Sequence, residues 1–107
     1  MAINNSQRAG FAEELLGTMT GSSVLIGTLL YNPVIIIFDN MSSVAVEISI
    51  DGGATTWKTF PAGEALVLDL RAAHGYAANY TFDTGTSFYG NGASGDFSIS
   101  YIYALNS

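Results

Sequence analysis

Short runs in which every second residue is hydrophobic recur along most of this chain, and Gly-rich turns separate them. The clearest run, VAVEISI at residues 44–50, alternates large aliphatic side chains with Ala, Glu and Ser, and the tripeptide DGG follows it directly. An alternation of period two places one set of side chains on each face of a β-strand. Glycine adopts the positive φ angles that tight hairpin turns require. The pattern therefore predicts a strand that ends in a hairpin connection.

About seven or eight such runs, spaced roughly eight to twelve residues apart, predict an all-β fold. No run with helical periodicity follows a predicted strand, so parallel crossovers are not expected. VIIIF at residues 34–38 is apolar on both faces, which indicates a central strand covered on both sides. We predict a two-sheet antiparallel sandwich, jelly-roll-like, for residues 21–107. Its predicted core consists of Val34, Ile36, Phe38, Val46, Ile48, Leu66, Leu68, Ile99 and Tyr101.

The first twenty residues follow a different pattern. Phe11, Leu15 and Leu16 have helical spacing, and Ser6 is a suitable helix cap. An extended conformation accounts for the same residues equally well. We therefore predict that residues 1–20 form an N-terminal arm or a short helix, separate from the sandwich.

Charged residues are scarce and mostly acidic. They make up 11% of the 107 residues, against about 25% in typical domains. Nine Asp and Glu residues outweigh three Lys and Arg residues, for a formal net charge of -6. Affinity for nucleic acid comes from Lys and Arg that neutralise phosphates, so we expect neither nucleic acid nor an anionic membrane as a partner. A surface this poor in charge is either built from Ser, Thr, Asn and Gly or covered in part by a protein partner.

Other features limit the environment of the chain. It has no cysteine, which excludes disulfides and Cys-based metal or redox sites. The first ten residues lack the apolar segment of a secretory signal, so export by that route is not expected. The most apolar stretch, residues 24–38, is interrupted by Asn32-Pro33 and is shorter than the roughly 20 residues that a membrane helix needs.

The residues that carry chemistry in enzymes do not form a recognisable motif here. His74 is the only histidine, and no Gly-x-Ser-x-Gly nucleophile motif accompanies it. Aspartates stand at predicted strand ends, where their side chains commonly cap turns, and they lack the spacing of calcium-binding loops. We expect no enzymatic activity, cofactor or metal ion. The aspartates concerned are Asp39, Asp51, Asp69, Asp83 and Asp96.

Trp57 has two interpretations that the sequence leaves open. It could form a platform for a sugar, assisted by nearby tyrosines, or it could belong to the fold. In TWKTF a regular strand places Trp57 and Phe60 on opposite faces, so either a bulge intervenes or one ring faces outward. Exposed aromatics on a charge-poor surface are typical of protein contacts. The predicted interface residues are Phe11, Leu15, Leu16, Trp57, Phe60, Tyr76 and Tyr89, with Tyr76, Tyr80 and Tyr89 as the alternative sugar partners.

Residues 32–73, with their IDGG, Trp, Phe and AGEALVLDL elements, resemble small virion accessory proteins of tailed bacteriophages. The resemblance implies a compact, non-enzymatic β-sandwich that decorates or cements a capsid from outside by bridging neighbouring major capsid subunits. It also implies a virion location after assembly in the host cytoplasm, and the absence of cysteine agrees with that reducing compartment. Symmetric capsid positions favour a dimer or trimer. A tail or head–tail connector component and a carbohydrate-binding module remain as alternatives.

Overall fold

The computed structural model describes residues 11–70 and 82–103. These residues form eight β-strands, and none of them lies in a helix. Accordingly, this part of the chain holds no helix of the length and hydrophobicity that crossing a bilayer requires. In chain order the strands are β1 (Phe11–Thr18), β2 (Val24–Thr28), β3 (Pro33–Asn40), β4 (Val46–Ser49), β5 (Lys58–Phe60), β6 (Ala65–Asp69), β7 (Ser87–Asn91) and β8 (Asp96–Tyr103).

The strands form two antiparallel sheets of four. One sheet has the order β1-β8-β3-β6 and the other has the order β2-β7-β4-β5. The first strand therefore pairs with the last, the second with the seventh, the third with the sixth and the fourth with the fifth. The chain is folded like one long hairpin that has been wound into two facing sheets, which is the jelly-roll arrangement. The prediction of an all-β, jelly-roll-like sandwich is confirmed.

The N-terminal prediction needs correction. Residues 11–18 form strand β1, which pairs along its whole length with β8, from Phe11 opposite Tyr103 to Thr18 opposite Asp96. Leu15 turns inward against the core and Leu16 turns outward. The helical alternative is therefore wrong for these residues, and they belong to the sandwich itself. Residues 1–10 lie outside the described part of the chain.

The core lies between the two sheets, and most of the predicted residues belong to it. Six of the nine predicted residues are at most 1% exposed: Ile36, Phe38, Val46, Ile48, Ile99 and Tyr101. Leu66 and Leu68 are partly buried and pack against this core. Val34 does not belong to the core, because the pairing register of β3 with β8 shifts between Pro33 and Ile35 and interrupts the alternation there. Nine further buried core residues are absent from the prediction: Met19, Ile26, Leu29, Phe60, Leu70, Phe82, Phe88, Phe97 and Tyr103.

Candidate functional site

The outer face of the β1-β8-β3-β6 sheet carries a group of aliphatic side chains. Ile36 and Phe38 are buried between the sheets, so the alternating Ile35 and Ile37 of β3 point to the outer face. Ile35 lies opposite Ile102 of β8, and Ile37 lies opposite Val67 of β6. Val67 is 60% exposed. We call these four residues, Ile35, Ile37, Val67 and Ile102, the apolar strip.

Carboxylates surround the apolar strip on the same face. Glu14 and Asp39 alternate with the inward residues of β1 and β3, and Asp96 begins β8. Ser98 donates a hydrogen bond to Glu14 Oε2 at 3.0 Å, and Thr18 donates one to Asp96 Oδ1 at 2.8 Å. These bonds fix two of these acidic groups; a further carboxylate of this face, Asp69 of β6, lies opposite Ile35. We call Glu14, Asp39 and Asp96 the acidic margin.

Positive charge does not balance this face within the described residues. In residues 11–70 and 82–103 the only Lys or Arg is Lys58. It lies on β5 in the other sheet, with its ammonium 3.8 Å from Glu64 Oε1 and 4.8 Å from the centre of the Phe60 ring. The outer face of the first sheet therefore combines aliphatic groups with negative charge alone, as far as the structure describes it.

The sequence pattern of β3 explains why this face was missed. The run VIIIF predicts a strand covered on both sides, and β3 is a central strand with β8 and β6 as neighbours. Only one of its faces packs into the core, however, while Ile35 and Ile37 on the other face remain partly exposed. The useful signal was the combination of this run with outward apolar residues in its two neighbours, Val67 and Ile102.

A second feature is a cleft of about 500 Å³ at the end of the β2-β7-β4-β5 sheet where β4 ends and where β5 and β7 begin. The connection after β4 forms one side, and the segment from Phe82 to Ser87, which leads into β7, forms the other. Trp57 and Tyr89 both line this cleft, together with Asp51 and Asp83. The structure thus brings together two of the aromatic residues that the sequence singled out.

Trp57 lies between the core and the cleft. Its ring centre is 5.3 Å from that of Phe38 and 5.7 Å from that of Phe82, to which it is nearly perpendicular. Its backbone N–H donates a hydrogen bond to Ile48 O at 2.7 Å. Strand β5 begins only at Lys58, so Trp57 is not held to the alternation of that strand. This resolves the conflict between the two aromatic positions in TWKTF.

The remaining predicted interface residues have different positions. Phe60 is fully buried in the core, so its predicted place on a contact surface of the single chain is corrected. Leu15 packs at the border of the core, whereas Leu16, at 54% exposure, lies on the outer face beside Ser98. The side chain of Phe11 and the whole of Tyr76 lie outside the described residues, as do Tyr80 and His74.

Asp51 is held rigidly at the rim of the cleft. Its Oδ1 atom accepts hydrogen bonds from Ser49 Oγ at 2.6 Å and from Thr55 N at 2.9 Å. The Ser49 hydroxyl, followed by the Thr55 backbone, lowers the pKa of the Asp51 carboxyl below its ordinary value of 3.8. Gly52 and Gly53 have φ angles of 78° and 95°, which allow the chain to turn here as DGG predicted. An ionised acceptor is therefore preorganised beside the aromatic rings.

The cleft has acidic groups but no arrangement that holds a metal ion among the residues that the structure describes. Within residues 11–70 and 82–103, no three His, Asp or Glu side chains converge as ligands. Asp51 and Asp83 both line the cleft, and the hydroxyl of Ser87 is already hydrogen-bonded to that of Thr28 at 2.8 Å. The chemistry that the cleft offers is hydrogen bonding combined with aromatic packing.

Comparison with protein-family models, with curated proteins and with solved structures found no match to this chain. The jelly-roll arrangement occurs in proteins with many functions, so the fold alone does not assign one. Two surfaces of the described residues are candidates for a function: the apolar strip with its acidic margin, and the cleft beside Trp57.

Proposed function

We propose that this protein is a non-enzymatic structural protein of a bacteriophage virion. In this proposal it decorates or cements the capsid, binding its outer surface and bridging neighbouring major capsid subunits. The virion assignment comes from the resemblance of residues 32–73. One structural observation supports a role in protein binding: β3 is apolar on both faces, yet the described residues cover only one of them.

The apolar strip has the character of an interface centre. Burial of aliphatic surface stabilises a complex by about 25 cal/mol per Å², and specific interfaces combine an apolar centre with a polar rim. The strip and the acidic margin provide that arrangement on a regular sheet. Because the strands are held by their neighbours, the side chains are presented with little loss of conformational entropy on binding.

The size of the face favours attachment at more than one place. Three strands of eight residues and one of five, about 4.8 Å apart and rising about 3.4 Å per residue, give a face of about 500 Å². A standard specific interface covers about 800 Å² on each partner. One contact through this face is therefore weak alone. A second contact, with a neighbouring capsid subunit, would add buried interface area. Capsid symmetry would repeat both contacts at every copy of the protein.

The acidic margin specifies the partner further. Two copies of this face brought together would place their carboxylates close to each other, which is unfavourable once water is excluded. A partner with Lys or Arg around an apolar centre would complement both parts of the face. We therefore assign the strip to the capsid contact and expect the proposed dimer or trimer to form through a different surface.

The test uses phage particles that lack this protein, to which purified protein is added back. Val67→Lys places a charge in the apolar strip, and Leu25→Lys makes the same change at a residue of similar exposure, 52%, on the other sheet. We expect the wild type and Leu25→Lys to co-sediment with the particles and to raise the temperature at which DNA is released. Val67→Lys should bind at least about tenfold more weakly, a difference of about 1.4 kcal/mol.

Two outcomes would contradict the proposal. Equal binding by the two variants would show that the strip is not the contact. Failure of the wild type to bind DNA-filled heads, combined with binding to isolated tails or to the head–tail junction, would support the alternative of a tail or connector component. Immunogold labelling of complete particles distinguishes these positions directly.

A further inference from the structure

We propose that the cleft beside Trp57 binds a neutral saccharide. This inference goes beyond the proposed capsid role, because no residue of the apolar strip or the acidic margin lines the cleft. A protein attached through the strip would keep the cleft open to solvent on its other sheet. The volume of about 500 Å³ falls within the range of small-molecule sites, about 300–1,000 Å³.

The aromatic residues of the cleft are suited to the apolar faces of a sugar ring. Trp57 is only partly buried, and its contacts with Phe38 and Phe82 fix the orientation of the indole. Tyr89 is partly exposed on β7, where pairing with Leu25 and Ser49 on both sides holds its backbone. Rigid aromatic groups offer contact area at low cost in conformational entropy. The sugar C–H groups would pack against these rings.

The polar groups of the cleft are suited to sugar hydroxyls. Asp51 is fixed by Ser49 and Thr55 through one carboxylate oxygen, Oδ1, and Asp83 lies on the opposite side. Carboxylates act as hydrogen-bond acceptors, and the Thr86 hydroxyl can both donate and accept. Convergence of a few polar groups on an apolar surface is the usual composition of a specific ligand site.

The charges of the cleft select against anionic ligands. Asp51 and Asp83 are the charged residues that line it, so a phosphate, sulfate or sialic acid group would be repelled. Both carboxylates belong to exposed residues, so screening weakens their effect on ions of either sign and their charge alone does not hold a cation there. A neutral saccharide uses the acceptors without requiring a buried ion pair.

Trp57 provides a direct test because it is the only tryptophan in the chain. The full-length protein is titrated with maltose, cellobiose, lactose and N,N′-diacetylchitobiose while Trp57 fluorescence is recorded. We expect a saturable change in emission with at least one of these probes, with a Kd near the millimolar range, and a weaker response to sialyllactose. Choline serves as the cationic probe and should give no saturable change.

Variants separate a binding role from a structural one. Tyr89→Ala and Asp83→Ala should each weaken binding at least tenfold, while Val67→Ala, in the apolar strip, should not change it. Circular dichroism melting checks that each variant is folded. The proposal fails if none of the four neutral probes changes the emission up to 50 mM. It also fails if sialyllactose or choline binds as tightly as the neutral probes, or if the cleft variants bind like the wild type. None of these results affects the Val67→Lys test of capsid attachment.

Discussion

The side chain of Asn40 joins three segments of the sandwich, and its removal is the sharpest test of what holds the fold together. Asn40 is fully buried at the end of β3. Its Nδ2 group donates to Val44 O at 2.9 Å and to Phe60 O and Pro61 O at 3.0 Å. Its Oδ1 atom accepts from Ser42 N at 3.0 Å and from Ser42 Oγ at 2.6 Å. One amide thus satisfies polar groups before β4 and after β5.

Asn40→Ala removes all of these bonds and leaves the N–H of the buried Ser42 without a partner. Each buried donor or acceptor that loses its partner costs about 1–3 kcal/mol. The Ser42 N–H loses its partner, whereas Val44 O keeps its bond from Ser42 Oγ and Pro61 O keeps its bond from Glu64 N. The unsatisfied N–H and the loss of at least two further bonds, worth about 0.5–1.5 kcal/mol each, together give a loss of about 2–6 kcal/mol. That is a large share of the roughly 5–15 kcal/mol by which domains are stable. A loss of about 3 kcal/mol corresponds to a fall in Tm of roughly 12–24 °C for a domain of this size.

Asn40→Asp keeps the shape of the side chain but replaces the donor with an oxygen that faces three carbonyls. At neutral pH this variant should be at least as unstable as Asn40→Ala, because a buried charge meets only acceptors at that end. This environment raises the carboxyl pKa of the variant in the folded state. Its stability relative to the wild type should therefore improve as the pH falls and the neutral carboxyl becomes a donor.

The assay is urea unfolding followed by Trp57 fluorescence and circular dichroism. Asn91→Ala, at an exposed residue of β7, is the matched control and should change the free energy of unfolding by less than about 0.5 kcal/mol. A loss below about 1 kcal/mol for Asn40→Ala would refute the reasoning, because it would mean that water replaces the lost bonds freely.

Two further predictions concern the close contact of β1 with β2 and the turn after β4. A Cβ at Gly17 would lie 2.9 Å from Ile26 Cγ1, and one at Gly27 would lie 2.8 Å from Leu15 Cδ2. Each Gly→Ala variant should therefore lower the free energy of unfolding by about 1–3 kcal/mol, measured in urea. An increase in that free energy would contradict this packing. Because the pKa of Asp51 is lowered when folded, its contribution to stability is complete above pH 3.8 and lost as the pH falls through the folded pKa. An NMR titration giving a carboxyl pKa at or above 3.8 would contradict the Ser49 and Thr55 hydrogen bonds.

Local patterns placed six of the buried core residues correctly because period two is a property of the strand itself. Val46 and Ile48 could be placed inside from VAVEISI alone. Residues 11–18 were ambiguous, because the spacing of Phe11, Leu15 and Leu16 suits a helix as well as an extended chain. Pairing with β8, at the other end of the chain, decides in favour of a strand. Such long-range pairing overrides local propensity, and no short window of sequence contains it.

The candidate sites were harder to predict than the core, because tertiary contacts bring their residues together. In TWKTF the positions of Trp57 and Phe60 indicate that a regular strand cannot place both rings in the core. Only the structure shows the reason, which is that β5 begins after Trp57. The cleft joins residues from the β4–β5 connection to residues that precede β7, which are about thirty positions apart by the numbering. A strand that is apolar on both faces does not show which face packs into the core of its own chain. The sequence alone therefore did not identify the apolar strip.

The acidic margin has a consequence for self-association that can be measured. An exposed row of aliphatic residues on a sheet tends to pair with its own copies, and Glu14, Asp39 and Asp96 oppose this by mutual repulsion. Salt reduces the Debye length from about 10 Å at 0.1 M to about 3 Å at 1 M, so the repulsion should weaken while apolar association persists. Sedimentation velocity should therefore show more association at 1 M than at 0.1 M NaCl, and Val67→Lys should suppress the increase while Leu25→Lys leaves it unchanged. If association falls with added salt, or if the two substitutions change it equally, then the acidic margin does not prevent self-association through the apolar strip.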